Sequence, residues 1–138
     1  MFRKEVTKGE PVKTRFTKSN DGVISDSATG LEWYVGPDQD TNWSQAKSWT
    51  EGLTIAGGGW RLPTISELGA IYQQGAGPRN IDPIFQTTGS WVWSGQIKEA
   101  SATEYPSAGT FLLAVGKWGP CGLGAAVDGR AFAVRSRR

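Results

Sequence analysis

The segment Gly57-Gly58-Gly59-Trp60-Arg61-Leu62-Pro63-Thr64 most limits the folds open to this chain. Three glycines let the backbone turn, and Pro63 stops any helix from running in from upstream. Thr64-Ile65-Ser66-Glu67 then fits a capping box: the Thr64 hydroxyl accepts from the Glu67 N–H and the Glu67 carboxylate reaches back. A glycine run before a helix can also cradle phosphate. That requires a Lys-Ser/Thr pair or a spaced G-x-G-x-x-G after a buried strand, and here Trp60 stands where backbone should approach the anion. The stretch therefore reads as architecture. Pro63 is placed to staple onto Leu68, Trp60, Leu62, Leu68, Ile71 and Trp93 are expected to share one core, and Arg61 to act as a buried hydrogen-bonding hub for loop carbonyls.

Around this break the chain alternates in character. Asn20-Asp21-Gly22 is a hairpin signal and Ser27-Ala28-Thr29-Gly30 a second turn, so the start is a β-meander. Asp21 and Asp26 belong to these turns, because the D-x-D-x-D-G calcium loop with its closing Glu is missing. One helix is expected from a cap at Asn42, boxed with Gln45, to about Leu53; a second runs from Thr64 until Gly75 ends it. Then come breakers at Pro78, Asp82-Pro83 and Gly89, strands at "SWVWSG" and "TFLLAVG", a loop "GKWGPCGLG" and a closing strand in "GRAFAVRSRR".

Two absences narrow the chemistry. With no histidine and Cys121 as the single cysteine, serine triads, His-metal sites, Cys-His pairs, zinc clusters and internal disulfides are excluded. Cys121 itself reads as a small buried hydrophobe. Carboxylate chemistry remains, with Asp38 and Asp40 as loop candidates. No window approaches a membrane span, no apolar leader follows Met1, and neither a cofactor nor a nucleic-acid partner is expected.

Net charge of +2 conceals a pattern. Six cations face two acids in the first eighteen residues, and Arg130, Arg135, Arg137 and Arg138 stand unopposed at the other end, so the ends carry +8 and the middle −6. If the ends meet in space they form a basic pole; otherwise they are solvated tails.

Several short words resemble the Lcl C-terminal domain family, named for a collagen-like bacterial adhesin. They are Asp21-Gly22-Val23-Ile24-Ser25-Asp26, Thr29-Gly30-Leu31-Glu32-Trp33, Trp43 with Ala46 and Leu53, Trp60-Arg61-Leu62-Pro63-Thr64 with Glu67-Leu68, Trp93-Ser94 and Val134-Arg135. The resemblance implies an α+β, C-type-lectin-like fold with two helices, termini joined in one small mixed sheet, and a long loop region. It implies a single domain over residues 16–138 behind a basic N-terminal segment or edge strand at 1–15. Thr50 and Ser136 stand where the family pattern has cysteines, so the implied disulfide is lost. The Glu-Pro-Asn or Gln-Pro-Asp and Trp-Asn-Asp motifs of calcium-dependent lectins are absent, as are the paired cysteines of the formylglycine-generating relative.

The expectation is a non-enzymatic binding module, at a cell surface or secreted, with a homo-oligomer left open. One reading is calcium-independent recognition of a sulfated or acidic glycan by Arg130, Arg135 and Arg137; the other is protein recognition centred on Tyr105 and Trp118. Trp118, beside Lys117, is either an exposed platform or packed down onto a sheet. Trp33, Trp43, Trp49, Trp60, Trp91 and Trp93 are expected mostly in the core.

Overall fold

A computed structural model describes residues 14–98 and 107–136. In chain order its elements are β1 (Phe16–Lys18), β2 (Ile24–Asp26), β3 (Leu31–Val35), α1 (Trp43–Gly52), α2 (Ile65–Ile71), β4 (Trp91–Lys98), β5 (Ser107–Leu112), β6 (Lys117–Gly122), β7 (Gly129–Arg130) and β8 (Phe132–Ser136). They form two four-stranded sheets, ordered β1-β2-β3-β8 and β6-β5-β4-β7. The first is antiparallel and brings the two ends of the described chain together. The second is mixed, because β7 runs parallel to β4.

Local chemistry explains the elements. Gly22 takes a positive φ at the β1–β2 turn, where the Asp21 carboxylate accepts from the Ser19 hydroxyl and, at 3.2 Å, from the Val23 N–H. Asp26 closes the next turn, accepting from Arg15 at 2.7 and 2.9 Å, from Thr29 at 2.8 Å and from the Ala28 N–H at 2.9 Å. Burial pushes its carboxyl up, and these donors outweigh that to hold it below the usual range.

Both capping boxes form. The Asn42 side chain accepts from the Gln45 N–H at 2.8 Å, and Thr64 Oγ1 accepts from the Glu67 N–H at 3.1 Å. In each, the N3 side chain returns a bond to the cap N–H. α2 stops at Tyr72 rather than at Gly75, because Tyr72 is extended and the Gln73 N–H donates to the Asn80 carbonyl. Asn80 in turn anchors that loop to the Leu113 carbonyl.

Three expectations are corrected. The residues expected in one core are all buried but fall into three clusters: Leu68 and Ile71 with Trp33, Phe85, Phe111 and Phe132; Leu62 and Trp93 with Ala46; Trp60 with Val23 and Ala133. Neighbours along a strand point to opposite faces, so Val92 and Trp93, or Ala133 and Val134, cannot share a cluster. Arg61 is not buried: bridged by backbone to Val134, it turns its guanidinium outward onto Glu67 at 2.7 and 2.8 Å. The carbonyl hub is instead Arg135. Finally, "GKWGPCGLG" is largely strand β6, with Pro120 tolerated because an edge strand needs only one ladder.

Of the tryptophans, Trp33, Trp60 and Trp93 are buried, whereas Trp43, Trp49 and Trp91 are half-buried against the clusters. Cys121 is also half-buried, and burial lifts its thiol above the usual value.

Candidate functional site

The second sheet is where the structure opens. α2 packs on β5 and β4, and beside it Trp118 of the outer strand β6 stands exposed. Phe111 on β5 is 4% exposed, while its register partner Trp118 on β6 is 62% exposed. One strand outward, the cover has run out.

Between α2 and that uncovered edge lies a groove of about 500 Å³. Ile65 and Ser66 form one wall, Trp118 and Pro120 the other, and Ala108 and Gly109 lie between them. The end of β4, from Gln96 to Lys98, completes it. Gly109 keeps the floor low: a Cβ there would come within 3.1 Å of the Ser94 hydroxyl and 3.3 Å of Ile65.

A bulge in β4 shapes this end. Its register with β5 shifts between Trp93 and Ile97. Inside the irregularity, the buried Ser94 hydroxyl donates to the Gly109 carbonyl at 2.8 Å, and the Gly95 N–H donates to the Pro63 carbonyl at 2.8 Å. Gln96 then reaches across to accept from the Ile65 N–H at 2.7 Å, satisfying a donor at the helix start. Past the bulge the strand delivers Ile97, 42% exposed, and Lys98 to the groove.

The expected site residues divide. Trp118 stands exposed on the groove wall, and Lys117 precedes it on the same strand, also exposed. Tyr105 and Arg137 lie outside the described residues. Arg130 and Arg135 do not form an exposed basic pole, and that expectation is corrected. Arg130, 7% exposed, binds Asp38 at 2.8 Å, Asp40 at 3.1 Å and Thr88 at 3.3 Å. Arg135, 6% exposed, binds Glu32 at 2.9 Å and the carbonyls of Ala56 and Gly58, and lies 4.3 Å from the centre of the Trp60 ring. The physical reason is the charge of the middle segment: its acids lie opposite the terminal cations once the strands pair.

This pairing also acts on the Asp38 carboxylate. The Arg130 hydrogen bond, helped by the Thr88 N–H, pulls Asp38 down to about 2. Arg61 likewise holds Glu67 below its usual range. Reasoning from sequence missed Ile65, Gln96, Ile97, Gly109 and Pro120, since the groove arises from a bulge in β4 and from how α2 lies on the sheet. The alternation in "GQIK" was its one weak signal.

The model of the Lcl C-terminal domain matches residues 22–122, most of the chain. The chain belongs to this family. Among curated proteins no sequence matches. Among solved structures it is similar to EMS16, described as an antagonist of the collagen receptor integrin alpha2beta1 (GPIa/IIa). The identity is 12% and the TM-score 0.52, over 89% of this chain and 98% of that one. The fold is accordingly α+β and C-type-lectin-like, with β8 closing the first sheet beyond the end of the family match.

Proposed function

We propose that this chain is a non-enzymatic, calcium-independent protein-recognition domain that engages its partner through the Trp118 groove. The observation that carries the reading is Trp118 itself, a large aromatic 62% exposed beside an apolar groove. Aromatic anchors next to a pocket that can be desolvated dominate protein interfaces. EMS16, a protein of the same fold, antagonises an integrin, which adds weight to a protein partner. The non-enzymatic part is supported by the carboxylates: Asp38, Asp26 and Glu67 are all held low, whereas acid catalysis needs a carboxyl raised by its surroundings. The calcium-independent part rests on the absence of the lectin sugar motifs.

A second reading, binding of a sulfated or acidic glycan, keeps Lys117 beside Trp118 in its favour. Arg130 and Arg135 no longer support it, since their guanidinium groups are already bound inside the molecule. Binding of the whole chain to displayed proteins and to heparin, at low and near-physiological salt, separates the two. Protein recognition predicts binding that tolerates salt and is lost with Trp118→Ala. Steeply salt-dependent heparin binding that disappears with Lys117→Glu would transfer the assignment to the glycan.

A further inference from the structure

We infer that a second cavity, walled by the chain between α2 and β4, binds a small zwitterion of the amino-acid class, with its carboxylate on Arg79 and its ammonium on Asp82. The cavity shares no lining residue with the Trp118 groove, so the inference does not rest on the reading above.

The cavity measures about 310 Å³. That lies at the lower end of small-molecule sites, which run from about 300 to 1,000 Å³, and fits a ligand of few atoms. Its walls are fixed by bonds to the rest of the molecule. Next to Arg79, the left-handed Asn80, at a φ of +59°, donates to the Leu113 carbonyl and accepts from the Gly75 N–H. Asp82 accepts from the Ile84 N–H at 2.9 Å. Gln86, also left-handed at a φ of +46°, accepts from Lys18 at 2.8 Å. Thr88 donates to Asp38 at 2.9 Å and accepts from Arg130 at 3.3 Å. Ile81 and Phe85 root the segment in the core cluster around Trp33. A cavity held this way needs little reordering when a ligand enters.

Arg79 is the exception among the polar side chains of the wall. It is half-buried, yet its guanidinium meets no acceptor, acid or ring among the described residues. Drawing a cation out of water without a partner is unfavourable, so its complement is an anion supplied from outside. Asp82 lines the same cavity, and its second carboxylate oxygen accepts no hydrogen bond among the described residues. No ion pair joins the two. Opposite charges kept apart in one cavity define the ligand: an anion for Arg79 and a cationic donor for Asp82.

The planar fork of Arg79 matches a carboxylate. A phosphate or sulfate, with more negative charge, meets Asp82 and also Asp38, which sits behind the Thr88 wall. A carboxylate that carries its own ammonium avoids that repulsion. Pro78 and Pro83 add apolar surface for an aliphatic side chain.

Titration calorimetry of the full chain with leucine, N-acetylleucine, leucinamide and inorganic phosphate tests the site. Leucine is expected to bind at least about tenfold more tightly than N-acetylleucine, which lacks the ammonium, and than leucinamide, which lacks the carboxylate. Arg79→Gln should weaken leucine at least about tenfold and erase its advantage over leucinamide, with Arg79→Lys intermediate because it keeps the charge without the fork. Asp82→Asn retains an acceptor for the Ile84 N–H and should erase the advantage over N-acetylleucine. Unchanged melting temperatures show that these losses are not unfolding. N-acetylleucine binding as well as leucine overturns the role of Asp82, and phosphate binding more tightly than leucine overturns the zwitterion. Leucine binding untouched by Arg79→Gln, or no binding of any of these compounds, overturns the site. Trp118→Ala leaves leucine binding unchanged, so failure here and failure of the groove are read separately.

Discussion

The two sheets treat their terminal strands in opposite ways. In the first, β8 is buried from Phe132 through Arg135, and even its arginine is enclosed by Glu32, two loop carbonyls and the Trp60 ring. In the second, β6 lies at the edge with Lys117 and Trp118 facing solvent. Each strand places a cation next to an aromatic or aliphatic residue, but β8 is otherwise apolar apart from Ser136, whereas β6 carries two glycines and Pro120. Cover differs too. The loop running from α1 to α2 closes over β8, whereas α2 packs on β5 and β4 and leaves Trp118 of β6 exposed. A charged side chain becomes internal wiring where a carbonyl-rich loop meets it, and part of a contact surface where the layer above runs out.

That contrast can be broken by stability measurements, beginning with the largest effect. Arg135→Met strands Glu32 and the Ala56 and Gly58 carbonyls, and should cost about 3–5 kcal/mol in urea unfolding. A loss below about 1 kcal/mol would mean that β8 is no more committed than β6. Trp60→Ala, which removes the ring under that guanidinium and the bond to the Ile55 carbonyl, belongs in the same range of about 3–5 kcal/mol. An unchanged melting temperature would contradict its place in the core.

Thr64→Ala sharpens the account of α2, the helix whose first residues form one wall of the groove. Loss of the cap should cost about 0.5–2 kcal/mol, with Thr64→Ser nearly silent. Equal behaviour of the two variants would show that the hydroxyl is not the cap.

A smaller effect is expected in acid. Asp38 is held at about 2 by Arg130, below its ordinary 3.8, so its contribution is complete above the ordinary value and fades as pH falls toward 2. Because the Asp38 side chain is 36% exposed, solvent screening keeps that contribution modest. Asp38→Asn should therefore flatten the acid limb of stability between these values and leave its shape near neutrality alone. An identical acid limb would show the pair to be inert. Smallest of all, Trp118→Ala should change stability by no more than about 0.5 kcal/mol, the mark of a residue held for contact rather than for folding.

How far the sequence disclosed this follows from the range of the interactions. The capping boxes at Asn42 and Thr64 act over three residues and were legible, as were the Gly22 turn and the closing strand at Phe132. Arg130 and Arg135 were misread because their partners lie 90 to 103 residues away, at Asp40, Asp38 and Glu32. Chain-end charge therefore looked like surface when it was half of an ion pair. Strand β6 was hidden by its glycines and Pro120, which mark turns except at a sheet edge. For Trp118 the sequence leaves open an exposed platform or packing onto a sheet, and only its exposure on β6 separates the two. The groove beside it is not legible, since a β4 bulge and the placement of α2 on the sheet are tertiary outcomes with no local motif.

None of the groove-lining residues belongs to β1, β2, β3 or β8. Both ends of the described chain leave from the sheet those four strands build, so anchorage and recognition occupy separate parts of the molecule. A load entering through β1 or β8 falls on the first sheet. Substitutions at Ile97 and Trp118, which line the groove, leave that sheet untouched, which makes this domain a scaffold for directed evolution of new binders.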